Sequence, residues 1–205
     1  MTSGVIGVDE AGRGPLAGPV CVGLVWAPEE MDIHEEFPGV MDSKELSPGA
    51  RENIYALVES RARRGDIKFI ARFSTHHYID RFGITKAVER AIVSGLRRLD
   101  APHGETKVLL DGLLKAPRHY AQETIVRGDA SVPLISLASI VAKVRRDRLM
   151  RRLAREYPAW GFAEHKGYPT PAHYAAIEEN GLCDIHRRTY CKFVEVNNSL
   201  AQVSS

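Results

Sequence analysis

At 205 residues the chain is near the upper range of one domain, which points to one domain with a C-terminal addition. Its 44% hydrophobic and 26% charged residues are ordinary globular usage, and no apolar run approaches membrane-spanning length. With no secretory leader legible either, a cytoplasmic protein with no membrane partner is expected. The net charge of +2 excludes little, but its distribution is uneven. Between positions 143 and 155 stand Lys143, Arg145, Arg146, Arg148, Arg151, Arg152 and Arg155 against Asp147 alone. Such a block is either a solvated helix face or a contact surface for a phosphate backbone.

Residues 5–9 are apolar and β-branched and stop at glycines; residues 19–27 resume an apolar run that ends at Pro28. Both read as strands, with the glycine-rich 12–18 stretch between them. Ser47-Pro48 has the signature of a helix start, a capping hydroxyl followed by proline at the first position, and Gly65 closes that helix. A third strand is expected over 67–73, then helices around 76–82 and 85–99. Short β runs at 106–110 and 124–126 end on Asp111-Gly112 and Gly128-Asp129. A long helical pattern covers 134–156, and the stretch after Val196 is small and polar. In that helix Leu137, Val141 and Val144 form one stripe while Leu149, Leu153 and Tyr157 fall on the opposite side. Its first half is therefore expected to pack on the sheet and its second half to anchor the C-terminal part.

Three acidic positions share one address. Asp9-Glu10, Asp111 and Asp129 each lie where a predicted strand gives way to a glycine-bearing turn. In α/β sheets, sites assemble at strand ends. An Asp before Gly is also a common turn residue, but two adjacent anions near a sheet core repel and desolvate badly unless a cation compensates. Carboxylates without neighbouring His or Cys suit Mg²⁺ or Mn²⁺ rather than Zn²⁺, the setting of metal-assisted phosphodiester hydrolysis. The glycines do not make a nucleotide loop: Arg13-Gly14 stands where a P-loop needs Lys-Ser/Thr, and Pro15 removes a donor that a dinucleotide turn would use. Gly12-Arg13-Gly14 instead brings bare backbone and a forked cation to a sugar or phosphate.

These residues carry a resemblance. The run from Gly7 to Val20, with Asp42-Ser43-Lys44, Leu110-Asp111-Gly112, Arg127-Gly128-Asp129, Ser139 to Lys143, Arg146-Asp147, His165 to Thr170 and His186-Arg187-Arg188, resembles type 2 ribonuclease H, ribonuclease HII. The motifs run in family order up to about residue 190; one departure is Leu137, where a small residue is expected. The resemblance implies a ribonuclease H-like mixed β-sheet flanked by helices, an α/β catalytic domain over 1–157. A C-terminal helical extension over 158–205 would pack on it and add substrate contacts. It implies Asp9, Glu10, Asp111 and Asp129 as metal-binding catalytic carboxylates for Mg²⁺ or Mn²⁺. Gly12-Arg13-Gly14 would recognise the ribonucleotide 2′-hydroxyl, the group that distinguishes the two sugars. Tyr168 would pack on the deoxyribose that follows. The implied substrates are RNA/DNA hybrid and duplex DNA containing ribonucleotides, nicked 5′ to the ribonucleotide to leave a 3′-hydroxyl and a 5′-phosphate.

Lys44, Lys143, Arg146 and Lys166 are further expected substrate contacts, Lys143 and Arg146 because three residues along a helix share a face. Cys183, His186 and Cys191 are three quarters of a zinc knuckle with no fourth ligand, and ordinary packing is expected of them. With no Cys-x-x-Cys pair, the odd set of three cysteines builds no disulfide framework. A monomer is expected. The competing functions are a metal nuclease without ribonucleotide selectivity and a non-catalytic nucleic-acid binder.

Overall fold

The computed structural model describes residues 3–42, 46–99 and 106–194. Five strands form one sheet: β1 (Gly4–Ala11), β2 (Val20–Pro28), β3 (Lys68–Ser74), β4 (Thr106–Asp111) and β5 (Ala121–Ile125). Helices α1 (Ile33–Glu36) and α2 (Pro48–Arg64) follow β2, and α3 (His76–Phe82) and α4 (Ile84–Leu99) follow β3. After β5 come α5 (Gly128–Ser131), the long α6 (Pro133–Glu156), α7 (Phe162–His165) and α8 (Pro171–Asn180). Ser47 caps α2 by accepting from the Ala50 amide, and Gly65 closes it at φ 85°. Thr170 caps α8 through the His173 amide, with Pro171 at the first position. That helix was not singled out in the sequence, although its cap signal is the same as that of α2.

The strand order is β3-β2-β1-β4-β5. β2 is antiparallel to both β1 and β3, whereas β1, β4 and β5 run parallel. The pairing Val8↔Leu110 sets the register, so β1 and β4 deliver their acidic ends side by side. This is the mixed, helix-flanked sheet expected.

One face of the sheet packs on α4, through Ile6, Val8, Leu24, Ile92 and Leu96; the other packs on α2 and α6, through Val25, Tyr55, Leu137 and Val141. All of these side chains are buried, and each contributes about 1.5–3 kcal/mol relative to exposure. Helix α6 lies unusually close to the strands. A Cβ at Gly7 or Gly23 would come within 2.3 Å of Leu134 O or 2.1 Å of Ala138 O, so only glycine lets the backbone approach there. The helix changes partners along its length: beyond Met150 it packs through Leu153 and Tyr157 on Phe162, Cys183 and Ile185 of the C-terminal segment. Leu149 lies apart, facing Pro19 and Phe73.

Candidate active site

The parallel strands place the acids. Asp9 and Glu10 close β1, Asp111 closes β4, and β5 leads to Arg127, a non-glycine residue at φ 56° whose turn starts α5 and aims Asp129 back at the sheet end. The Asp129 amide donates to Asp111 Oδ1 at 3.3 Å, tying the two turns together. Asp9 is 5% exposed and accepts from the Glu10 amide at 2.7 Å. Burial first, and then the Glu10 charge, push the Asp9 carboxyl up to about 8; a hydrogen bond from Ser139 opposes the rise. Burial also raises Glu10, with Arg13 opposing and Asp111 adding to it.

The Arg13 guanidinium lies 3.4 Å from Glu10 Oε1, while Glu10 Oε2 is buried with no hydrogen-bond partner among the described residues. An all-oxygen donor set with excess negative charge and an unsatisfied buried oxygen fits a hard divalent cation. Among the described residues no three His, Cys, Asp or Glu side chains already form a closed ligand set. The acids make an open edge, suited to an ion that keeps water and substrate oxygens among its ligands.

Two cavities of about 390 Å³ meet at Glu10 and Arg13. One continues over Gly12, Gly14, Ser139 and Lys143 to Tyr168; the other continues to Asp111 and Leu113. Glu10, Asp111, the glycine loop and the tyrosine therefore line one continuous surface, with Asp9 and Asp129 buried behind it, although Tyr168 is 158 residues from Glu10 in the chain. A sequence model for ribonuclease HII matches residues 6–193 of this surface's parent chain.

The chain belongs to the ribonuclease HII family. It is 44% identical to ribonuclease HII of Geobacter metallireducens over 91% of this chain and 83% of that one. The crystal structure of ribonuclease H2 from Pyrococcus horikoshii superposes with a TM-score of 0.78 at 27% identity, covering 95% of this chain and 98% of that one. A ribonuclease HIII structure in complex with Mn²⁺ shares the fold, with a TM-score of 0.65 at 20% identity over 88% and 63%. The protein is a ribonuclease H, an endoribonuclease of RNA/DNA hybrids from a metal-dependent family.

Within this ribonuclease HII, the remaining expected contacts divide. Tyr168 is 37% exposed over the groove, with Lys143 Nζ 5.7 Å and Arg146 Cζ 5.6 Å from its ring centre. Lys143 also pairs with Asp147 at 2.8 Å. Lys166 folds back onto the carbonyls of Ala163 and Glu164, at φ 53°. Lys44 lies outside the described residues. Arg146 departs from expectation: it is fully buried and donates to Pro19 O, Ala17 O and Lys166 O at 3.0–3.2 Å, so no phosphate reaches it. The basic block is largely spent internally, since Arg148 and Arg151 share Glu52 and Arg145 donates to the Tyr55 hydroxyl.

Two site residues were passed over in the sequence. Ser139 donates to Asp9, and its place in the Ser139 to Lys143 motif was the available signal. Arg187 is fully buried and donates to the carbonyls of Gly12, Arg13 and Gly18 at 2.6–2.9 Å. Gly12 itself sits at φ 95°, and a Cβ there would meet Arg146 Nε at 2.0 Å. Cys183 packs against the buried His186, as ordinary core, and Cys191 lies in a different cluster with Leu16.

Proposed function

We propose that this ribonuclease HII cleaves the RNA strand of hybrids and also nicks duplex DNA 5′ to single embedded ribonucleotides, leaving 3′-hydroxyl and 5′-phosphate ends. Its role would be to start ribonucleotide excision, as a cytoplasmic monomer. The observation that carries the reading is the continuity of one groove from Glu10 through Gly12-Arg13-Gly14 to Tyr168.

Asp9, Glu10, Asp111 and Asp129 would hold Mg²⁺ or Mn²⁺, in a two-ion arrangement. Bound divalent ions supply an activated water and neutralise the leaving oxygen of the phosphodiester. The chain's own residues do the rest. Ser139 orients the Asp9 carboxylate. Arg13, 3.4 Å from Glu10 and with its side chain half-exposed, would offer its fork to a phosphate. The loop backbone reads the 2′-hydroxyl, and Tyr168 offers an aromatic face to the next sugar, so a ribose there fits less well than a deoxyribose. Lys143 flanks that face with positive charge, and Lys166 would bring a charge of the 158–205 segment to the substrate backbone.

The test is incubation with duplex DNA carrying one ribonucleotide, with Mg²⁺ or Mn²⁺ and with chelator. A metal-dependent nick on the 5′ side of the ribonucleotide is expected. Equal cutting of an all-DNA duplex would favour an unselective nuclease, and binding without cutting a non-catalytic role.

A further inference from the structure

The residues beneath the groove are electrostatically costly. Arg146 and Arg187 are both fully buried, and Arg187 is pushed down to about 10, by burial and then by the Arg146 charge. Two like charges side by side in a core are a poor way to fix a loop that apolar packing would hold, unless their donors are needed. Every donor contact of Arg187 with the backbone ends on the 12–18 loop.

Peptide geometry makes that contact specific. In a trans peptide the N–H of one residue points away from the C=O of the residue before it. With the Gly12 and Arg13 carbonyls turned in to Arg187, the Arg13 and Gly14 amides are turned out, toward the groove. Neither amide has a backbone acceptor among the described residues. They are two preset donors.

The adjacent residue serves the opposite wall. The Cys183 amide donates to His186 Nδ1 at 2.9 Å, which leaves the proton of His186 on Nε2. That proton faces His173 Nε2 at 3.1 Å, and His173 Nδ1–H then donates to Tyr168 O at 2.9 Å. The donors thus fix both tautomers, and both rings are buried and neutral, His186 being pushed down to about 4 by burial and then by His173.

We infer that His186-Arg187 is a positioning pair that sets the gap between the Gly12-Arg13-Gly14 amides and Tyr168, and with it the preference for a ribonucleotide followed by deoxyribose. His186 acts through His173 and Arg187 acts directly on the loop. Because the two are neighbours in the chain, one short segment locks both walls of the groove. The inference rests on the junction-nicking reading above.

The test compares wild type with Arg187→Lys, His173→Phe and the double variant. Cleavage is measured as kcat and KM on a single-ribonucleotide duplex and on a uniform RNA/DNA hybrid, with metal affinity and melting temperature alongside. Each single variant is expected to lower the junction-to-hybrid ratio of kcat/KM about tenfold with metal affinity unchanged. The double variant should lose less than the product of the two, because a gap released at one wall is already released. An unchanged ratio in variants that melt cooperatively would overturn the inference, as would equal losses on both substrates. If Arg187→Lys does not fold, His173→Phe decides alone on the same ratio. A wild type that fails to nick the single-ribonucleotide duplex would instead overturn the functional reading on which the inference stands.

Discussion

The acidic edge and the 12–19 loop meet at Ala11 but are held by opposite means. The acids stand on parallel strand ends, so the sheet's hydrogen bonds fix their spacing, and the site they make carries more negative charge than its surroundings neutralise. Among the described residues, the loop has no ladder of its own beyond the bridge Ala17↔His186. Its carbonyls are instead gathered by two buried guanidiniums, which accept the burial of positive charge in return for six directed hydrogen bonds that include Lys166 O. On the function proposed above, one half of the site would be completed by a cation from solution. The other is completed by cations built into the chain.

The sharpest way to break this contrast is to remove an acid. Asp9→Asn and Asp111→Asn are each expected to lower cleavage at least about a hundredfold while duplex binding survives. Stability should move the other way for Asp9. Its carboxyl titrates near 8 when folded but near 3.9 when unfolded, so between those values the unfolded chain holds fewer protons and stability falls as pH rises. Metal-free Asp9→Asn should therefore melt above metal-free wild type at pH 8, with the gap closing as pH approaches 4. Mg²⁺ or Mn²⁺ should raise the wild-type melting temperature at pH 8 and barely move that of the variant. A variant that melts below wild type in calorimetry at pH 8 would mean Asp9 is not a strained acid awaiting a cation.

The second expected effect is on the loop. Arg146→Met leaves three inward carbonyls without a donor and should destabilise the fold by about 3 kcal/mol or more in urea unfolding, whatever the metal. A loss below about 1 kcal/mol would show that water replaces the guanidinium, and that the loop is not held as described. This half of the molecule was the less legible one. Carboxylates at strand ends stand out because a sheet core tolerates few charges, so Asp9, Glu10, Asp111 and Asp129 could be picked from pattern as expected ligands, and the strand directions that bring them to one sheet edge came only from the fold. Arg146 sits in a run of basic residues that looks like a solvated face, and nothing local distinguishes the one arginine that turns inward. Two of its three partners lie 127 and 129 residues away, and those of Arg187 up to 175, so these contacts exist only once the chain has folded. The His173–His186 pair was hidden in the same way, because the two rings meet only in the folded chain.

The two glycines of the loop sharpen the comparison at smaller cost. At Gly12 an alanine meets both a left-handed φ of 95° and the Arg146 side chain at 2.0 Å, and either alone is enough to strain the site. Gly12→Ala should lower stability by about 1–3 kcal/mol, within the range for overpacking and for forcing a positive φ. At Gly14 a Cβ meets nothing within 4 Å, and its φ is not positive. Gly14→Ala should leave stability within about 0.5 kcal/mol of wild type. Its methyl would still project where the groove wall meets substrate, so cleavage at a single ribonucleotide should fall while the melting temperature holds. Gly12 then serves the guanidiniums below the loop and Gly14 the sugar above it. If Gly14→Ala instead lowers the melting temperature and spares cleavage, both glycines belong to the scaffold, and the reading of the sugar lies with the Arg13 and Gly14 amides alone.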